Sequence, residues 1–155
     1  MAELRIVQAQ AEEQIKAARE LFLEYAEWLG IDLCFQDFDR EVAELGDYAP
    51  PGGRILLGLV GEEVAGCVAL RGLNDGACEM KRLYVRPSHR GSGIGRGLVQ
   101  EVIEAAPELG YERIVLDTLP VMAEAQRLYE YLGFREIEPY YENPVPGARF
   151  LELDL

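Results

Sequence analysis

Histidine, serine and cysteine are scarce in these 155 residues. The one histidine, His89, and both serines, Ser88 and Ser92, fall within a single short stretch. A Ser-His or Cys-His hydrolase would have to use His89 as its base, and a surface loop histidine is the preferred reading. One histidine excludes a histidine-rich metal site, and no calcium-loop spacing occurs. The three cysteines, Cys34, Cys67 and Cys78, are odd in number and far apart, with no Cys-x-x-Cys. That pattern argues against a disulfide framework and against zinc, and Cys67 and Cys78 read as small core hydrophobes. No apolar run approaches the ~20 residues needed to span a bilayer. Met1-Ala2-Glu3-Leu4-Arg5 also lacks the apolar core of a secretion signal, so a soluble, cytoplasmic protein without a membrane partner is expected. Basic residues are in the minority, 15 against 28 acidic, for a formal net charge of −13. Such a chain is poorly suited to duplex nucleic acid, whose binding rests on phosphate neutralisation. The same field would draw in a cationic amine.

The few basic residues are not spread evenly. From Lys81 to Gln100 there are five (Lys81, Arg82, Arg86, Arg90, Arg96) and no acidic residue. The island surrounds Arg90-Gly91-Ser92-Gly93-Ile94-Gly95-Arg96, which follows the apolar run Leu83-Tyr84-Val85 and opens a helical pattern at Ile94. A strand passing through glycines into a helix gathers free backbone N–H groups at the positive end of a helix dipole, where phosphates bind. Two phosphate motifs are excluded. Counting from Gly91 or Gly93, the third place of a dinucleotide fingerprint falls on Arg96 or Leu98. A P-loop needs Gly-Lys-Ser/Thr, and Gly95 is followed by Arg96 and Gly97.

Arg90-x-x-Gly93-x-Gly95 after a strand and before a long helix resembles motif A of the GNAT superfamily of acyl-CoA-dependent N-acetyltransferases. Leu128-Tyr129-x-x-Leu132-Gly133-Phe134 is similar to a second segment of that family, and the order of elements matches over nearly the whole chain. The resemblance implies an α/β GNAT fold with a mixed central sheet of about six or seven strands and about four helices. It implies acetyl-CoA as acyl donor and an amine acceptor, small molecule or peptide, with no metal. Leu83, Tyr84 and Val85 would face the pantetheine and thioester, and Arg90, Gly91, Ser92, Gly93, Ile94, Gly95 and Arg96 the pyrophosphate. A homodimer would be in keeping with the family. Met122 stands where relatives often carry asparagine.

Length and a hydrophobic content of 49% fit a single domain over residues 1–155. Strands are expected at Leu4 to Gln8, Ile55 to Val60, Val64 to Arg71, Ala77 to Val85, Arg113 to Thr118, Phe134 to Ile137 and Phe150 to Leu155. Near-continuous apolarity in the middle strands predicts a sheet covered on both faces. Helices are expected from about Ala11 to Leu29, Phe35 to Leu45, Ile94 onward and Val121 to Leu132. Pro107 should kink or end the third near Ile103 to Ala106. The proline-rich segment Pro139 to Gly147 is too long for a tight hairpin and is expected to shape the acceptor site.

Acetyl transfer from a thioester needs an unprotonated amine, a polarised carbonyl and a proton for the departing thiolate. By resemblance, Glu79 occupies the strand position where some relatives keep a general base. Its place in an apolar segment would raise its pKa toward the working range. Tyr129 lies where the family often puts a tyrosine beside the coenzyme A sulfur, and would act as the acid. In the family the first two helices and their connection roof the acceptor site, so the resemblance makes Tyr25, Trp28, Cys34 and Phe35 candidate acceptor contacts, with Tyr140 a further one. The expected reaction is direct attack in a ternary complex, with a non-catalytic acyl-CoA sensor as the alternative.

Overall fold

The computed structural model describes residues 3–30, 40 and 45–155. Among them are β1 (Leu4–Gln8), α1 (Glu12–Leu29), β2 (Arg54–Val60), β3 (Glu63–Gly72), β4 (Ala77–Val85), α2 (Ile94–Glu108), β5 (Arg113–Thr118), α3 (Ala123–Tyr131), β6 (Arg135–Ile137) and β7 (Arg149–Asp154). The strands form one seven-stranded sheet in the order β1-β2-β3-β4-β5-β7-β6. Every neighbouring pair is antiparallel except β4 and β5, which the α2 crossover makes parallel.

Strand alternation divides the core between the two faces of this sheet. Cys67, Ala69 and Tyr84 pack with the α1 residues Ala18, Leu21, Phe22, Tyr25 and Leu29. Val68, Leu70, Cys78 and Met80 pack on the other side with Ile94, Leu98, Val99 and Val102 of α2. Each helix presents an apolar stripe at 3.6-residue spacing, and α1 stops at Gly30, whose left-handed φ of 67° closes its last turn.

Two expectations need correction and one lies outside the described residues. The α2 helix does not break before Pro107 but runs through it to Glu108. The proline falls in the final turn, where it takes the donor from the Ile103 carbonyl and crowds it, but only one helical residue follows to be disrupted. Leu109 then bonds back to Ala105 and Ala106, and Tyr111 to Ala106, securing the end. The α3 helix starts at Ala123, later than the expected Val121, after a 3₁₀ turn over Pro120–Met122. The helix expected at Phe35 to Leu45, with Cys34 and Phe35, falls largely outside the described residues.

The parallel pairing is short. It holds Ala77 to Arg113, Cys78 to Ile114 and Glu79 to Val115, and no further. Beyond Glu79 and Val115 the two strands part, and a cleft opens there.

Candidate active site

The loop between β4 and α2 has the geometry of an anion cradle. Gly91 and Gly93 both take φ of 84°, a left-handed conformation that side chains rarely adopt. A Cβ at either position would meet no atom within 4 Å, so open space lies over the backbone there. Gly93 is the N-cap of α2, which aims the helix dipole into that space. Arg90 is held beside it by a 2.9 Å bond from Nε to the Val85 carbonyl. Its guanidinium lies 4.9 Å from the centre of the Trp28 ring and 5.7 Å from that of Tyr84. The exposed Ser92 hydroxyl donates to the His89 carbonyl at 2.6 Å, and the His89 imidazole pairs with Glu63 at 3.0 Å. The hydroxyl and the ring are thus engaged elsewhere, which leaves no nucleophile-base pair between them.

The basic island of the sequence divides in three dimensions. Arg86 is a structural residue, bonded to both carboxylate oxygens of Glu24 and to the Val64 carbonyl. Arg90 and Arg96 flank the loop, with Arg96 stacked 4.9 Å from the Tyr131 ring centre. Lys81 and Arg82 are buried at the point where β4 and β5 separate.

A β-bulge creates that arrangement. Cys67 pairs with Tyr84 and Ala69 with Lys81, so Arg82 and Leu83 together stand opposite Val68. Arg82 has φ of 61°, an uncommon conformation for a residue with a side chain. Regular alternation would send consecutive residues to opposite faces. The bulge instead lets Lys81 and Arg82 both line one cleft and turns strand backbone away from its ladder. The cleft encloses about 740 Å³ and runs from Gly91, Gly93 and Arg96 along Leu83, Tyr84 and Val85 to Lys81, Asp117, Tyr25 and Tyr129. Of the residues expected at the site, all the cofactor-loop positions except Ser92 line this space, together with Tyr25 and Tyr129.

Glu79 is placed behind the cleft wall. It is 1% exposed, with Oε1 bonded to Arg71 Nε at 2.8 Å and Oε2 accepting from the Tyr140 hydroxyl at 2.5 Å. Asp117, which sequence reasoning did not single out, lines the cleft from β5 and accepts from the Tyr141 hydroxyl and from Asn143 Nδ2 at 2.9 Å. Its signal was indirect: the Tyr-Tyr-x-Asn run lies in the segment expected to shape the acceptor site.

Burial tunes the ionisable groups. It raises the Tyr129 hydroxyl well above its ordinary 10 and pushes Tyr25 up to about 12, the latter against the opposing charge of Arg82. Burial, then the charge of Glu79, raises Tyr140. Lys81 is lowered by burial, with Glu79 acting in the opposite sense. The thiols of Cys67 and Cys78 are raised by burial, Cys78 to about 12, which leaves them protonated and poorly nucleophilic. Among the described residues no group of three metal-binding side chains occurs, and no helix is long and apolar enough to cross a membrane.

A profile of the acetyltransferase (GNAT) family matches residues 12–134. The chain belongs to this family. An uncharacterised N-acetyltransferase of Schizosaccharomyces pombe is 44% identical over 138 residues, covering 87% of this chain and 85% of its own length. Human N-acetylaspartate synthetase is 34% identical over 110 residues, covering 69% of this GNAT chain but 36% of the synthetase. A GNAT acetyltransferase of Elizabethkingia anophelis, crystallised with acetyl-CoA, shares the fold with a TM-score of 0.71 at 22% identity over 98% of both chains.

Proposed function

We propose that this acetyltransferase moves an acetyl group from acetyl-CoA to an amine by direct attack in a ternary complex. One observation carries the reading: a continuous cleft joins the Gly91–Gly93 cradle to the bulge at Arg82 and to Tyr129. The cradle suits a pyrophosphate, and the wall from Leu83 to Val85 suits the pantetheine arm. The acetyl-CoA in the Elizabethkingia relative supports the donor. The name of the human relative makes an amino acid one of the acceptors to consider.

The thioester supplies an activated acyl carbon, and the chain supplies position and protons. Backbone N–H groups released from the ladder at the bulge polarise the carbonyl oxygen. The amine nitrogen attacks the carbonyl carbon as the carbon–sulfur bond breaks. Tyr129, kept protonated by burial, donates to the departing thiolate. Neither Tyr140 nor Glu79 lines the cleft, so the proton lost by the amine passes through a bridging water to the Tyr140 hydroxyl and on to Glu79, which already holds that hydroxyl at 2.5 Å.

Calorimetric titration with acetyl-CoA tests the foundation. Saturable binding to the wild type, lost in the Arg90→Glu, Gly93→Glu double variant, is the expected result, followed by release of free thiol when an amine is supplied. Absence of binding to the wild type overturns the reading. Tight binding without thiol release across a broad amine panel replaces it with an acyl-CoA sensor.

A further inference from the structure

The acceptor end of the cleft carries a charge pattern that the transfer chemistry does not use. Lys81 is 7% exposed, its side chain less so, yet it lines the cleft. Among the described residues its ammonium makes no hydrogen bond; Glu79 Oε1 stands 4.0 Å away, beyond bonding distance, and the charge of Asp117 acts on it in the same sense as that of Glu79. An ammonium that reaches the cleft with its donor positions unfilled can take up an anionic ligand group. Arg82, the next residue, lines the same space because of the bulge. The opposite wall, on β5, presents Asp117.

The pyrophosphate of acetyl-CoA does not account for these cations. Val85 lies four positions beyond Lys81, at most about 13 Å at the usual rise, and the glycine cradle lies beyond that. Nor do they suit the polyamine that an acidic surface would attract, since the β4 wall would repel a second ammonium. A cationic wall facing an anionic one matches a zwitterion.

We propose that the acceptor is a free α-amino acid whose carboxylate is held by Lys81, with Arg82 beside it, and whose amino group lies on the Asp117 side, toward the thioester. This rests on the acetyl-transfer reading above and specifies its acceptor.

The test is initial-rate kinetics of thiol release with free L-amino acids, the matching amino-acid amides and spermidine. Wild type, Lys81→Met and Lys81→Arg are compared at a fixed acetyl-CoA concentration. The expected result is a preference of at least roughly tenfold in kcat/KM for an amino acid over its own amide, one charged bond being the difference. That preference falls toward unity in Lys81→Met through KM for the acceptor, and is largely kept in Lys81→Arg. KM for acetyl-CoA stays within about twofold in both. An amide or spermidine used as well as the amino acid overturns the proposal, as does a preference that survives in a folded Lys81→Met, or failure of the whole amino-acid panel. Calorimetry with acetyl-CoA separates the two levels: binding with no amino-acid turnover sinks only the acceptor assignment, whereas no binding sinks the transfer reading beneath it. If Lys81→Met does not fold, the wild-type ratio of amino acid to amide decides alone.

Discussion

The Tyr140 hydroxyl donates to Oε2 of Glu79 at 2.5 Å, and the next side chain, Tyr141, donates to Asp117. Neighbouring residues of one segment thus hold a carboxylate on each of two strands, β4 and β5, whose pairing ends at Glu79 and Val115. The proposed proton path through this contact requires the two residues to behave as a unit. Glu79→Gln and Tyr140→Phe are each expected to lower kcat by roughly tenfold or more. The double variant should lose little beyond the worse single one, because the second change removes a partner already disconnected. A double-mutant cycle on kcat measures this, and strictly multiplicative losses would show that the two residues act apart.

In the proposed mechanism Tyr129 supplies the second proton transfer. Its hydroxyl is buried and raised above the ordinary 10, so it stays protonated through the physiological range. Tyr129→Phe should reduce kcat roughly tenfold or more while acetyl-CoA affinity is nearly unchanged, since the ring that packs 5.5 Å from Phe134 is kept. Because a raised pKa extends the protonated form to higher pH, the wild-type rate should show no alkaline fall from this group below pH 10. Full activity in the phenylalanine variant would remove the acid role.

Trp28 is the one tryptophan of the chain, and the Arg90 guanidinium lies 4.9 Å from its ring centre. A cation at that distance perturbs the indole, and a phosphate drawing Arg90 into the glycine loop would weaken the contact. Acetyl-CoA is therefore expected to change the intrinsic fluorescence saturably, with the same midpoint as calorimetry. In Arg90→Gln the signal should already resemble that of the liganded protein and respond little. A response of equal size in that variant would place the pyrophosphate away from Arg90.

Much of this layout was legible in the sequence, for local reasons. The β5 run and the glycine loop announce themselves by apolar continuity and by residues that tolerate positive φ, and their places in the structure match. The bulge did not show. Arg82 takes a left-handed φ with no glycine or asparagine to mark it, because the sheet and the cleft impose the conformation rather than the residue favouring it. Asp117 was hidden for a similar reason: its partners Tyr141 and Asn143 approach only after β7 has paired with β5. The basic island misled in part, since charge density along a chain does not say which guanidinium already has a carboxylate, as Arg86 has in Glu24. Pro107 misled by position, since with the helix ending one residue later its disruption of the bonding has almost nothing beyond it to break.

Tyr25 links the site to stability. It lies under the cleft, 7% exposed, with Arg82 5.8 Å from its ring centre, and its hydroxyl is pushed from 10.0 to about 12 chiefly by burial. The folded pKa exceeds the unfolded one, so the folded state holds the proton more tightly. The associated stabilisation is complete below pH 10 and is lost as the pH rises from 10 toward 12. Two units correspond to roughly 3 kcal/mol at most, a large share of the stability of a small domain. Unfolding midpoints in urea should accordingly fall steeply across that window. Tyr25→Phe should be flatter there, while sharing the remaining slope from Tyr129 and Tyr140, whose hydroxyls are raised in the same sense. Identical slopes for wild type and Tyr25→Phe would mean that Tyr25 ionises without opening the core, and that the α1 packing over the cleft is looser than its burial indicates.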